Sequence, residues 1–168
     1  MDLKDYIRSI KDYPKKGILF RDITTLIKDE IAFEETINQI VEKSKKFKVD
    51  KIAAIESRGF VFASAVSYIL KKPFIMLRKK NKLPADVHSV DFELEYGTAT
   101  IEVHKDSISE NDSILIIDDL IATGGTAEAA AKLIEISKGN VSAFIFVINL
   151  FDLGGCKNLL KNGYEVEN

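Results

Sequence analysis

The chain has 168 residues, of which 46% are hydrophobic and 30% are charged. This balance is typical of a globular protein, and the length suits one substantial core, so we expect a single domain over residues 1–168. The formal net charge of -2 gives no electrostatic reason to bind nucleic acid or an anionic membrane. A bound anion would therefore be held by local geometry.

The sequence also predicts a cytoplasmic protein without a membrane span. Its apolar runs are far shorter than the roughly 20 residues that cross a bilayer. The opening MDLKDYIRSI mixes charge through every turn and lacks the apolar region of a signal peptide. Cys156 is the only cysteine, which is consistent with a reducing compartment.

The chain then alternates between strand and helix patterns. Residues 1–30, with Pro14 and Gly17, predict a separate hood ahead of the first long helix. Apolar residues recurring on one stripe predict that helix at 32–47. The later elements are, in chain order, a strand at 51–55, a helix at 60–70, a strand at 74–77, a hairpin at 90–103 around Gly97, a strand at 113–117, a helix at 126–136 and a strand at 143–150.

These elements predict the fold class. The strand runs KIAAI, FIML, SILII and AFIFVINL lack polar alternation, which is typical of strands buried on both faces. Strands that alternate with helices favour an α/β fold with a mainly parallel central sheet flanked by helices. The segment 90–103 differs, because its alternation by two predicts a half-exposed hairpin.

The segment ILIIDDLIATGGTAEAAAKL contains two adjacent carboxylates, Asp118 and Asp119, at the end of an apolar strand. Neighbouring carboxylates repel each other and resist desolvation, so a ligand is the natural reason to keep both. In open α/β sheets, ligands bind beyond the carboxyl ends of the strands. The two aspartates are therefore predicted to lie at a binding site.

The next residues predict a phosphate cradle at the start of a helix. Glycines let the backbone turn tightly and expose successive N–H groups, and the positive end of the helix dipole adds to their attraction for an anion. Neither the P-loop pattern nor G-x-G-x-x-G is present. An acidic pair before such a cradle suits a sugar phosphate, whose ribose hydroxyls donate to the carboxylates. The cradle residues are Ala122, Thr123, Gly124, Gly125 and Thr126.

The motif IIDDLIATGGT resembles the phosphoribosyl-pyrophosphate signature of type I phosphoribosyltransferases, in particular those that act on adenine. The likeness covers nearly the whole chain, through YPKKGILFRDIT, IESRGFVFA, LRKKNKLP, LEYGTATIEVHKD and INLFDLGG. It implies transfer of a 5-phosphoribosyl group from 5-phosphoribosyl-1-pyrophosphate to N9 of adenine, which yields AMP and pyrophosphate. It also implies Mg²⁺ on the diphosphate, with no direct protein ligand, and a homodimer.

Two further segments carry anion-binding residues. ESRG follows a strand and opens a helix, where Ser57 and Arg58 are well placed for the donor and the arginine can fork onto pyrophosphate. The resemblance implies a cis peptide between Glu56 and Ser57. It also implies that the basic run 78–84 closes over the site, bringing Arg78, Lys79 and Lys82 to pyrophosphate. Asn81 stands where glycine is usual, and asparagine tolerates the left-handed conformation better than most residues.

The remaining site residues come from the resemblance alone. Glu95, within LEYG, would face N7 of adenine as a proton-transfer group. In the hood, Phe20 would stack on the purine, while the backbone groups of Leu19 and Arg21 would pair with the edge of the base.

Two alternatives stay open at this point. One is a related transferase for hypoxanthine or guanine, although relatives of that kind more often carry an ED pair where this chain has DDL. The other is a non-catalytic regulator that keeps the fold to sense the ligand. Such regulators usually add a DNA-binding module, and neither a helix-turn-helix segment nor a basic surface is evident in the sequence.

Overall fold

The structure, a computed structural model, describes residues 1–94 and 97–168. The chain divides into two compact units, Met1–Ile40 and Val41–Asn168. In the first unit, β1 (Arg8–Lys11) pairs antiparallel with β2 (Leu19–Asp22). The sequence did not predict these strands, because each is only four residues long and carries no apolar alternation. Two helices follow, α1 (Thr24–Ile27) and α2 (Glu30–Ser44), and α2 continues into the second unit.

Polar contacts fix the strand pair of the first unit. The peptide between Tyr13 and Pro14 in its turn is cis. Asp22, at the end of β2, is buried and accepts a hydrogen bond from Nε of Arg8 at 2.9 Å and another from the backbone N–H of Thr24 at 2.9 Å. The Thr24 hydrogen bond and the Arg8 guanidinium lower the pKa of Asp22 to about 2. This carboxylate therefore joins β2 to β1 and to the start of α1.

The second unit is built on a seven-stranded sheet in the order β5-β6-β4-β3-β7-β8-β9. Strands β4, β3, β7, β8 and β9 pair in parallel, while β6 pairs antiparallel with β4 and β5. The mainly parallel α/β fold predicted from the sequence is thus confirmed. The strands are β3 (Lys51–Ile55), β4 (Phe74–Lys79), β5 (Val87–Leu94), β6 (Gly97–His104), β7 (Ser113–Ile121), β8 (Asn140–Asn149) and β9 (Val166–Glu167).

Helices cover both faces of this sheet. α4 (Gly125–Ile136) packs its buried alanines and leucine in one cluster with Ala53, Ile55 and Phe144 of the strands. α3 (Arg58–Leu70) contacts β3, β4 and β7, and its buried Phe62 lies outside that cluster. Because alternate strand residues point to opposite faces, the apolar strands predicted from the sequence are buried on both sides. A shorter helix, α5 (Gly155–Lys161), lies between β8 and β9 in the chain.

Strand β7 differs from the prediction at its end. The sequence placed the end of the strand at Ile117, but the pairing of β7 with β8 continues to Ile121. Asp118 and Asp119 therefore lie within the last part of the strand, where the ladder fixes their backbone. In the part of the chain that the structure describes, none of the helices combines the length and the apolar character that crossing a membrane would take.

Candidate active site

A cavity of about 250 Å³ opens at the carboxyl ends of β3 and β7. Its lining combines the peptide that follows β3, the two aspartates of β7 and the loop that leads into α4. Parallel strands end at the same edge of the sheet, so the segment after β3 meets the distant segment that runs from the aspartates into α4. The predicted site residues that line it are Ser57, Arg58, Asp118, Asp119, Ala122, Thr123, Gly124, Gly125 and Thr126.

The two aspartates differ in their electrostatic environment. Asp119 is only 5% exposed, and its Oδ2 forms an ion pair with Nε of Arg58 at 2.8 Å. Burial raises the pKa of Asp118 well above its usual range, and the negative charge of Asp119 raises that pKa further. The backbone N–H of Asp119 donates to Oδ1 of Asp118 at 2.9 Å. One carboxylate is thus neutralised by a guanidinium, while the other holds its proton more tightly.

The start of α4 has the geometry of an anion cradle. Gly124, the residue before the helix, has a φ of 94°, in the left-handed region that favours glycine. Among the residues that the structure describes, no side chain caps this helix. The first N–H groups of any helix lack partners within it. A Cβ atom added to Gly125 would meet no atom within 4 Å. The backbone at this point therefore faces open space beside the cavity.

Two glycines that the sequence analysis did not single out shape the site. A Cβ atom on Gly59 of α3 would lie 2.7 Å from Oδ1 of Asp118, so only glycine lets the aspartate approach the helix. A Cβ atom on Gly155 would lie 2.5 Å from the carbonyl oxygen of Ala122. That oxygen accepts the N–H of Gly155 at 3.0 Å. In the sequence, these two glycines are marked only by their positions in the segments ESRG and LGG. Those positions do not reveal what each glycine contacts.

The segment after β3 connects the cavity to the basic run. The peptide between Glu56 and Ser57 is cis, as the family resemblance implied. Oε1 of Glu56 accepts the backbone N–H of Lys79 at 2.6 Å and lies 3.5 Å from Nε of Arg78. A second cavity, of about 480 Å³, includes Lys79 and shares Glu56 and Thr126 with the first. The basic run thus begins beside the anion cradle.

The other predicted site residues lie elsewhere in the chain. Lys82 lies later in the basic run, and its carbonyl oxygen is 3.5 Å from Nη1 of Arg78. Leu19, Phe20 and Arg21 belong to β2 of the first unit. There the ring of Phe20 meets Tyr13 edge to face, with 5.1 Å between the ring centroids. Glu95, the predicted proton-transfer group, lies outside the described residues.

Comparison with known proteins identifies the class that this fold and site define. The family described as the phosphoribosyl transferase domain matches residues 23–152. The adenine phosphoribosyltransferase of Pelagibacter ubique is 81% identical over 168 residues, which cover 100% of this chain and 96% of that protein. The class is therefore that of the phosphoribosyltransferases.

Solved structures narrow the class. The crystal structure of the adenine phosphoribosyltransferase of Thermoanaerobacter pseudethanolicus superposes with a TM-score of 0.94 at 45% identity, covering 98% of this chain and 95% of that one. The Saccharomyces cerevisiae enzyme, complexed with an imino-altritol bisphosphate and adenine, gives 0.90 at 32% identity, covering 99% and 95%. The chain belongs to the adenine phosphoribosyltransferase family, which confirms the resemblance drawn from the motifs.

Proposed function

We propose that the site transfers the 5-phosphoribosyl group of 5-phosphoribosyl-1-pyrophosphate to N9 of adenine, producing AMP and pyrophosphate for purine salvage. The observation that carries this proposal is the single cavity lined by the Asp118–Asp119 pair and the open start of α4. The names of the relatives agree with it, since the similar proteins are adenine phosphoribosyltransferases and the yeast structure contains adenine.

The donor would be held at three points. The 5-phosphate would accept hydrogen bonds from the N–H groups of residues 122–126, and the dipole of α4 would add about 0.3–1 kcal/mol. The ribose hydroxyls would bind Asp118 and Asp119. The diphosphate would face Ser57 and Arg58, with the basic run 78–84 supplying further positive charge.

In the chemical step, one bond to C1 replaces another and the base loses one proton. N9 of adenine forms a bond with C1 of the ribosyl group as the bond from C1 to the pyrophosphate oxygen breaks, and pyrophosphate leaves with that electron pair. Adenine would react as the tautomer that carries its proton on N7, and Glu95 would take that proton as the bond at N9 forms. A positioned acid or base of this kind typically contributes about 10²–10⁴-fold to the rate.

Adenine recognition would fall to the hood, residues 1–30, within the single domain expected for the whole chain. Phe20 would stack on the purine, because aromatic rings pack well against flat apolar faces. The backbone groups of Leu19 and Arg21 would pair with the edge of the base. The support for this assignment is that these residues form one short strand, β2.

Mg²⁺ would enter with the donor. Among the described residues, no group of three or more His, Cys, Asp or Glu side chains is arranged to hold a metal ion. We propose that the diphosphate mainly holds the ion, without a direct protein ligand. When bound, the ion would neutralise negative charge on the leaving pyrophosphate.

We also propose a homodimer in the cytoplasm. The outer face of α3 supports the homodimer, because Tyr68 is 86% exposed and the neighbouring Ile69 is 48% exposed. Large apolar side chains grouped on a surface are typical of an interface. The unpaired thiol of Cys156 is consistent with a reducing compartment.

The decisive experiment is a spectrophotometric assay of the purified protein with 5-phosphoribosyl-1-pyrophosphate, Mg²⁺ and one base at a time. We expect AMP formation with adenine and no comparable product with hypoxanthine, guanine or orotate. A preference for hypoxanthine or guanine would establish the oxopurine alternative. Binding of the donor without turnover of any base would establish the regulator.

A further inference from the structure

The carboxylate of Glu102 is buried beneath the basic run and is not part of the site described so far. Glu102 lies on β6, directly opposite Arg78 of β4, and is only 7% exposed. Directly opposed residues of antiparallel strands project from the same face of the sheet. A glutamate is rarely buried to this extent unless its oxygens are bound.

Both oxygens of Glu102 accept hydrogen bonds. Oε1 accepts the backbone N–H of Asn81 at 2.7 Å. Oε2 accepts the hydroxyl of Ser89, on β5, at 2.7 Å. Hydrogen bonds to an ionised acceptor are stronger than those between neutral groups. Glu102 therefore ties the turn after β4 to the neighbouring hairpin.

The hydrogen bond to Asn81 is one of three that hold the backbone N–H groups of this turn. The N–H of Lys79 binds Oε1 of Glu56 at 2.6 Å, the N–H of Lys80 binds the carbonyl oxygen of Thr100 at 3.2 Å, and the N–H of Asn81 binds Glu102. Asn81 has a φ of 66°. The turn enters the left-handed region at the residue whose N–H the buried carboxylate holds.

We propose that Glu102 is a positioning residue for pyrophosphate. It holds the turn at Asn81, so that the cationic side chains on either side, Arg78, Lys79 and Lys82, are presented together to the diphosphate. The negative charge of Glu102 also offsets the mutual repulsion of these cations. The inference rests on the proposed function, since that function assigns pyrophosphate to the basic run.

Glu102→Ala tests the inference. It removes both acceptors, and we expect the KM for pyrophosphate, measured in the reverse reaction with AMP, to rise about tenfold or more. The KM for the phosphoribosyl donor should rise with it, while the KM for adenine stays within about twofold. Glu102→Gln keeps an oxygen for Asn81 and an amide group that can donate to Ser89, so it should restore pyrophosphate affinity to within about threefold of wild type.

Asp91→Ala is the matched control. Asp91 lies on the same hairpin and accepts the hydroxyl of Thr100 at an exposed position, whereas the turn binds the carbonyl oxygen of Thr100. It should leave all three KM values unchanged. Circular dichroism and AMP binding show whether each variant is folded. If Glu102→Ala does not fold, Glu102→Met takes its place, because methionine has a side chain of similar length to glutamate.

Three results would overturn the inference. They are an unchanged pyrophosphate KM in Glu102→Ala, an equal rise in the KM for adenine and pyrophosphate, and a loss in Glu102→Gln as large as in Glu102→Ala. A wild-type protein that makes no AMP would instead refute the proposed function, and that result is obtained before any variant is measured.

Discussion

At the scale of single residues, the two carboxyl groups of the acidic pair lie in different electrostatic environments. Asp119 is paired with Arg58, whereas burial and the charge of Asp119 raise the pKa of Asp118. Two ionised carboxylates at this position would repel each other, and the raised pKa shows how the free protein reduces that repulsion. The pair is thus suited to ligand hydroxyls at some cost in stability.

Asp118→Asn should make the free protein more stable at neutral pH. Folded wild type binds a proton at Asp118 above the ordinary pKa of 3.8, where the unfolded chain has lost it. Its free energy of unfolding therefore falls as the pH rises through that range. The asparagine variant does not titrate there, and it keeps an oxygen for the N–H of Asp119. We expect its melting temperature to exceed that of wild type by ~2–4 °C at pH 7, the shift that ~1 kcal/mol produces in a chain of this size.

The pH dependence and the donor affinity provide the controls. The difference in melting temperature should shrink towards acid pH and vanish below the ordinary carboxyl range. Calorimetry should show weaker binding of 5-phosphoribosyl-1-pyrophosphate to Asp118→Asn. A variant that is no more stable at neutral pH, or that binds the donor as well as wild type, would contradict this account of Asp118.

Glu95→Gln tests the proton-transfer role. Glutamine keeps the shape of the side chain but cannot take a proton, so we expect kcat for AMP formation to drop about 10²-fold or more. Donor affinity should barely change, because the acidic pair and the cradle hold that substrate. The measurement is steady-state kinetics with saturating donor and Mg²⁺. A change confined to the KM for adenine would indicate a binding role without proton transfer.

At the scale of elements, the start of α5 packs against the phosphate cradle that precedes α4. The N–H of Gly155 binds the carbonyl oxygen of Ala122, and there is no room for a Cβ atom between them. The position of the loop that faces the cavity therefore depends on a segment that does not itself line it.

Gly155→Ala should displace the cradle. The added methyl group would lie 2.5 Å from the carbonyl oxygen of Ala122, so the loop must shift. We expect donor affinity, measured by calorimetry, to fall about tenfold or more, since each 1.4 kcal/mol of lost binding is tenfold.

Gly154→Ala is the matched control for this substitution. Gly154 has a φ of 74°, so alanine strains the backbone there, but its Cβ atom would meet nothing within 4 Å. It should lower stability by about 1–2 kcal/mol and leave donor affinity close to wild type. If both variants lost the same donor affinity, the effect of α5 on the cradle would come from lowered stability of the fold and not from the contact between Gly155 and Ala122.

At the scale of the whole molecule, the outer face of α3 predicts self-association. Light scattering on the wild-type protein should give twice the 18.8 kDa of one chain. Tyr68→Glu places a charge on a side chain that is 86% exposed in the single chain, so it should leave the fold intact and shift the mass to that of the monomer. Leu160→Glu introduces the same charge at another exposed apolar side chain, on α5, and should leave the dimer unchanged. A monomeric wild type, or a dimeric Tyr68→Glu, would exclude this face as the interface.

Most of the fold could be predicted because its elements are marked by local patterns. The run KIAAI predicted β3 at its observed bounds, Lys51–Ile55, since continuous apolar residues require burial on both faces. The short strands β1 and β2 and the two-residue β9 were missed, because no apolar period marks them. Strand β7 was predicted too short, since its pairing with β8 continues past the apolar run through the aspartates.

The sequence by itself determined the mainly parallel α/β fold, the diaspartate with its glycine-rich turn, and the family to which they point. The fold class and the turn depend on neighbours in the chain, so periodicity and spacing reveal them, whereas the family follows from the resemblance of the motifs. Only the tertiary structure decided that Arg58 neutralises Asp119, that Gly155 supports Ala122, and that Glu102 holds Asn81. Each of these contacts joins residues far apart in the chain, and a hydrogen bond depends on distances that only the folded sheet sets.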